Sequence, residues 1–175
     1  MTSFLSLSQS RRSTRKFTDE KITEQQLETL LHAVLMSPTS KNSNPWEFVV
    51  VQNTETIQQL AMAKPHGSAL LKTAPLAIVV CADSQKSDVW VEDCSIASIY
   101  LQLAAEDLGL GSCWVQIRKR EHESGEPAAD YIKRLLQIPQ NIEIESIIAI
   151  GNMIERRKEF DVSKALVERV HYEKF

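Results

Sequence analysis

The sequence predicts an α+β domain in which helices flank a small mixed sheet. Three observations carry this. Lys21–Met36 repeats apolar residues at helical spacing, Leu76–Cys81 is an unbroken apolar run of strand length, and Asp93–Leu108 is a second, longer helical pattern. The 175 residues fit one domain, 1–175, large enough to bury a core without disulfides or structural metal.

In chain order, Leu27, Leu30, Leu31, Val34 and Leu35 form one stripe of the first helix. Thr23 followed by Gln26 is a capping-box pattern, and Pro38 stops the helix because residues before proline avoid helical geometry. A polar loop, Pro38–Pro45, leads to a strand over Glu47–Val51. Asn53 and Thr54 are cap candidates for a short helix over Ile57–Ala63, and His66–Lys72 is a candidate for another. Leu76–Cys81 has the pattern of a strand covered on both faces. In Asp93–Leu108 the apolar stripe is Ile96, Ile99, Tyr100 and Leu103, with Ala97, Ala104 and Ala105 allowing close approach and Gly109 ending the helix. Ser112–Ile117 reads as a strand, Pro127–Leu136 as a helix opened by proline, and Ile144–Ile150 as a strand ended by Gly151. The tail, Asn152–Phe175, shows little periodicity. A long stretch without internal pattern fits wrapping of a partner subunit, through residues such as Leu166, Val167 and Val170.

Composition narrows the function classes. The chain is 43% hydrophobic and 25% charged with net charge −3, so no overall charge favours nucleic acid or an anionic membrane. No apolar run nears the roughly 20 residues of a membrane span, and Met1–Ser10 lacks the layout of a signal peptide. Cys81, Cys94 and Cys113 lack metal-site spacing and read as free thiols of a cytoplasmic protein.

Three segments could carry chemistry. Arg11-Arg12-Ser13-Thr14-Arg15-Lys16-Phe17 places four basic residues among seven in an acidic protein. Guanidinium forks and a serine hydroxyl suit phosphate. A solvated basic surface and a nucleic-acid patch are the other readings, the last without the wide basic face and stacking aromatics it needs. Ser37–Trp46 sets short polar side chains between a helix and a strand, which suits the polar edge of a heteroaromatic ring or an ordered loop. Gly109-Leu110-Gly111-Ser112-Cys113-Trp114 allows close backbone approach, or simply a helix end before a strand, and is not a dinucleotide fingerprint.

Together these segments resemble the nitroreductase family. The first is similar to its Arg-Arg-Ser-x-Arg-x-Phe opening, the second to its Ser-Pro-Thr/Ser-x-x-Asn-x-Gln-Pro-Trp-x-Phe segment, and the third to its Gly-Leu-Gly-Ser-Cys-Trp segment. Ile147–Gly151 and Val170-His171-Tyr172 follow in the same order and spacing. The resemblance implies an intertwined homodimer whose tail wraps the partner, tightly bound flavin mononucleotide (FMN), and NADH or NADPH as reductant. It implies that Arg11, Arg12 and Ser13 hold the FMN phosphate and that Arg15 lies against N1/O2 of the ring. Pro38, Thr39, Ser40 and Asn42 would cover the flavin from across the interface, and Trp114, Val115 and Gln116 would meet the ring edge. Lys164, with Arg156 as the weaker candidate, would complete the phosphate site. The acceptor would be a small electron-poor aromatic such as a nitro compound or quinone, reduced by ping-pong hydride transfer. A related flavoenzyme on the same fold, and an FMN-binding or sensing protein without turnover, are the rival readings. Two departures stand out: Asn44 replaces the usual Gln, and Gln116-Ile117-Arg118 replaces a Gly-containing stretch. The short Cys81–Asp93 segment implies a reduced covering over the active site and a more open channel.

Overall fold

The structure, a computed structural model, describes residues 3–175. Its helices are α1 (Phe4–Ser10), α2 (Glu24–Leu35), α3 (Thr54–Leu60), α4 (Trp90–Asp107) and α5 (Ala128–Leu136). Its strands are β1 (Trp46–Val51), β2 (Leu76–Asp83), β3 (Gly111–Gln116) and β4 (Ile142–Gly151), in sheet order β1-β2-β4-β3. The capping box at α2 forms as expected, with the Gln26 amide N–H donated to Thr23 Oγ1 and the Thr23 amide N–H donated to Gln26 Oε1. Asn53 caps α3 by accepting from the Thr56 amide. Gly109 has φ +74°, the left-handed conformation that ends a helix without a Cβ clash. The His66–Lys72 candidate resolves as a 3-10 turn over Ala69–Thr73.

The expected mixed sheet is corrected: its four strands are all antiparallel to their neighbours. Among the described residues the parallel pairing is one isolated bridge, Ser13 with Ser112. The physical reason is that a continuous apolar run reports burial on both faces, not strand direction. Ile78 and Val80 of β2 face α2 and α4, packing with Leu30, Val34, Cys94, Ala97 and Leu101. Ala77, Val79 and Cys81 face α3 and α5, packing with Ile57, Leu60 and Ile132. Between β2 and β4 the register shifts, leaving Glu145 as an unpaired bulge residue. Its carbonyl accepts from the amides of both Ile117 and Arg118.

The predicted stripe of α4 is also corrected. The face against the sheet is Cys94, Ala97, Leu101 and Ala105, whose small side chains let the helix sit close. Ile96, Ile99 and Tyr100 instead stand 36–39% exposed. The helix is apolar on two stripes, and side-chain size alone points to the bulkier one as the core face. With Phe4, Leu7 and Ala33 it lines an apolar groove between α1, α2 and α4. Helix α1 escaped the sequence reading because it is seven residues long with no buried position.

The opening segment runs along the outer edge of β3. Thr14 donates its amide to the Ser112 carbonyl at 2.9 Å, Phe17 bridges Met153, and Thr18 donates to the Asn152 carbonyl. Gly111 permits this contact, since a Cβ there would meet Thr14 Oγ1 at 2.6 Å and Met153 Cγ at 2.5 Å. The tail is tied back by Gln9 and Phe160, which exchange two hydrogen bonds. Beyond that point Val162, Leu166, Val167, Val170 and Tyr172 are exposed. Gly111→Ala is expected to lower stability by about 1–3 kcal/mol, the usual cost of overpacking, and to loosen the opening segment. Urea denaturation checks this: an unchanged midpoint would mean that the segment shifts freely.

Candidate functional site

Pairing with β3 gathers cationic side chains at one edge of the sheet. The guanidinium groups of Arg11, Arg15 and Arg157 all act on the Cys113 thiol, and the Ser13 side chain reaches it. Burial pushes that thiol up, and these neighbours draw it part of the way back. Arg15 and Arg157 line a cleft of about 300 Å³ with Thr14, Lys16, Ile154 and Glu155. Arg12 is half-buried. Among the described residues none of Arg11, Arg12, Arg15 and Arg157 is in a salt bridge. Guanidiniums gathered without salt-bridge partners are suited to an anionic ligand, and Glu155 is a carboxylate on the same cleft.

The later basic residues divide differently from the sequence reading. Arg156 is bonded to Glu106, which is buried near the end of α4, so its charge is committed within the fold. Lys164 stands largely exposed beside Asp161. The basic residue that accompanies Arg11 and Arg15 is Arg157. The run Arg156-Arg157-Lys158 is its signal in the sequence, although spacing alone does not say which member lies beside Arg15.

The Pro38–Pro45 loop is built at the other edge, where it enters β1. Ser40 donates its amide to Asp93 Oδ1 at 2.8 Å. Thr39 and Asn44 bond to each other twice, side chain to side chain and backbone to side chain. Pro38 and Asn42 are exposed, and Thr39 and Ser40 half-buried. β1 and β3 are opposite edges of a four-stranded sheet, about 14 Å apart by strand spacing. One chain therefore keeps its arginine cluster and this loop apart.

Trp114 and Gln116 point to the same face of β3, and the Trp114 indole N–H donates to Gln116 Oε1 at 2.8 Å. Val115 points the other way into the α3–α5 core, and its backbone, out of phase with that of Ser112, faces β4 rather than the outer edge. Because β3 is an outer strand, half of its backbone groups face away from β4. Beneath Gln116 lies Glu145, 4% exposed, with Oε2 unbonded among the described residues. Sequence reasoning passed over it as one charge in an apolar strand. Burial pushes its carboxyl above the ordinary range, the Gln116 amide and Arg118 draw it down, and Glu92 adds to the rise. The Arg118 guanidinium also lies over the Trp90 ring, 5.6 Å from its centre.

All three cysteines are free, as the sequence indicated; all are also buried, and burial pushes Cys81 up to about 12. No helix among the described residues is long and apolar enough to cross a membrane.

The raised Glu145 carboxyl makes stability depend on pH. The native state keeps this proton where the unfolded chain has lost it. Its contribution is full below the ordinary value of about 4.5 and fades as pH rises through the raised value. Glu145→Gln cannot ionise, so its stability relative to wild type is expected to increase from pH 5 to pH 8. Urea melts at both values test this, and a constant difference would contradict it.

The comparisons agree with one another. The sequence profile of the nitroreductase family matches residues 9–64 and 61–152. A solved FMN-dependent nitroreductase from Clostridium difficile is 40% identical, superposes with a TM-score of 0.96, and covers 98% of this chain and 100% of that one. A protein of Methanothermobacter thermautotrophicus, provisionally named NADH dehydrogenase/NAD(P)H nitroreductase, is 36% identical over 168 residues, 94% of this chain and 84% of that protein. FMN reductase [NAD(P)H] of Bacillus subtilis is 26% identical over 170 residues, 83% of this chain and 64% of that protein. Both the architecture and the ordered motifs thus lead to one conclusion: the chain belongs to the nitroreductase family.

Proposed function

We propose that this protein is an FMN-dependent NAD(P)H oxidoreductase that reduces flat, electron-poor acceptors such as nitroaromatics and quinones. The observation that carries the reading is the group of guanidiniums that, among the described residues, form no salt bridge and lie along the outer edge of β3 beyond its Ser112 bridge. The names of the relatives, an FMN-dependent nitroreductase and an FMN reductase, support the same cofactor.

The donor set fits FMN in chemistry and in order. Arg11, Arg12 and Ser13 hold the phosphate, and Arg157 joins them in place of Arg156. Arg15 sets a guanidinium on the N1/O2 side of the ring. The outward backbone groups of Trp114 and Gln116 meet the ring edge, while the backbone of Val115 is turned to β4. Pro38, Thr39, Ser40 and Asn42 of the partner subunit cover the ring from across the interface, because the same residues of one chain lie at the opposite sheet edge. When bound, FMN supplies hydride transfer, and the protein supplies binding, orientation and electrostatics. Nicotinamide and acceptor use the same open face in turn, which gives ping-pong kinetics.

A homodimer also accounts for the apolar surface. Ile96, Ile99 and Tyr100 on α4, Phe4 and Leu5 on α1, and the tail side chains are all exposed in one chain. Phe4, Ile99 and Tyr100 share one apolar groove, and exposed apolar surface of this kind is typical of an interface. The two flavin sites of a symmetric dimer are equivalent.

Arg15 has a distinct role. Reduction accumulates negative charge near N1/O2, and a fixed guanidinium there favours the reduced form. Removing one such donor from an enclosed site costs on the order of 10²-fold, and the more exposed Arg15 is expected to contribute about 10-fold. The test is anaerobic addition of NADH or NADPH to the purified yellow protein. The flavin band should bleach in wild type and bleach more slowly in Arg15→Ala, with a lowered flavin potential. A flavin that stays oxidised in wild type would identify a passive FMN-binding protein instead.

A further inference from the structure

We propose that Asp93 is a positioning residue of the flavin site, holding the Thr39–Asn44 loop in the shape that it presents to the cofactor of the partner subunit. The proposal rests on the composite-site reading above, since it is that reading which gives the loop its role.

Asp93 is 2% exposed and lies in the first turn of α4. Unpaired amides at a helix start favour negative charge there. Among the described residues it has no cationic partner, and both oxygens are used in neutral hydrogen bonds. Oδ1 accepts from the Ser40 amide at 2.8 Å, and Oδ2 accepts from the Ser87 hydroxyl at 2.9 Å. A buried carboxylate is costly, and an apolar side chain would serve packing alone better. What this carboxylate adds is a fixed position for one backbone N–H.

That N–H opens a strained segment. Lys41, Asn42 and Asn44 have φ of 53°, 54° and 44°, in the left-handed region that side chains other than glycine disfavour. The Thr39–Asn44 bonds close the loop on itself without attaching it to the rest of the fold. On its inner side Ser43 Oγ and Trp46 Nε1 are buried and unbonded among the described residues. The Asp93–Ser40 bond therefore ties the strained turn to α4. Ile96, Ile99 and Tyr100 of the same helix carry the proposed subunit contact. The carboxylate thus places the loop relative to the surface across which it must reach.

The experiment compares wild type with Asp93→Ala and Asp93→Asn. FMN affinity is read from fluorescence quenching, and the ring environment from visible circular dichroism at saturating FMN. Asp93→Ala is expected to weaken FMN binding at least 10-fold and to alter the visible spectrum while sedimentation still reports the wild-type oligomer. Asp93→Asn should recover most of both, because the Asn carbonyl oxygen can still accept from the Ser40 amide. General loss of stability would move neither the saturated spectrum nor its rescue. Should Asp93→Ala fail to fold, Ser40→Pro removes the donated N–H and leaves Asp93 intact, with Ser40→Ala as its control. The extended backbone of Thr39, ψ 158°, tolerates a following proline. Weaker FMN binding in Ser40→Pro than in Ser40→Ala supports the proposal. Wild-type affinity and spectrum in Asp93→Ala, or equal affinity in the two Ser40 variants, overturns it while leaving the FMN reading in place. A wild-type protein that takes up no FMN overturns both.

Discussion

The pairing of β2 with β4, buried between two helical layers, is the constraint on which the remaining structure depends. Two strands sealed on both faces must occupy the middle of the sheet. β1 and β3 are thereby forced to the outside. Each outer strand then carries a different chemical group at its margin. β3 receives the basic opening segment through the Thr14–Ser112 bond. β1 receives the strained polar loop held by Asp93. Sheet order alone separates them, so a site that uses both halves draws them from two chains. In the proposed function, dimerisation and cofactor binding are therefore one problem rather than two.

Charged groups near these edges are used sparingly, the arginines at the surface and the carboxylates of Glu106, Asp93 and Glu145 buried. Among the described residues the arginines beside Cys113 form no salt bridge, which leaves their charge for a ligand. Arg156, one residue from Arg157, is instead neutralised by Glu106. Asp93 spends its two oxygens on one amide and one hydroxyl. Glu145 sits at a bulge under Gln116 with an oxygen left over. These buried groups cost stability in isolation, and buried polar groups are tolerated where they fix a geometry or meet a ligand.

Much of this was legible in the amino-acid order. The capping box at Thr23, the strand at Leu76, the Gly109 helix end and the motif order of the family were all local, and local chemistry survives folding. Direction of pairing was not legible, because the apolar run from Leu76 is the same in parallel and antiparallel sheets. The inward face of α4 was misread because Ile99 and Tyr100 are larger than Ala97 and Cys94, while close packing on a sheet favours the smaller pair. Asp93 and Glu145 are inconspicuous in the sequence. Their meaning lies in partners 53 and 29 positions away, Ser40 and Gln116, which only tertiary structure brings near. Arg157 was hidden among adjacent basic residues whose directions depend on the path of the tail.

The claim that two chains build each flavin site is tested most directly by dilution. Bound flavin fluorescence and sedimentation mass are followed together as protein concentration falls. The account predicts that FMN is released over the same concentration range in which the particle halves to 19.8 kDa. A 19.8 kDa particle that keeps its flavin with full affinity would contradict it.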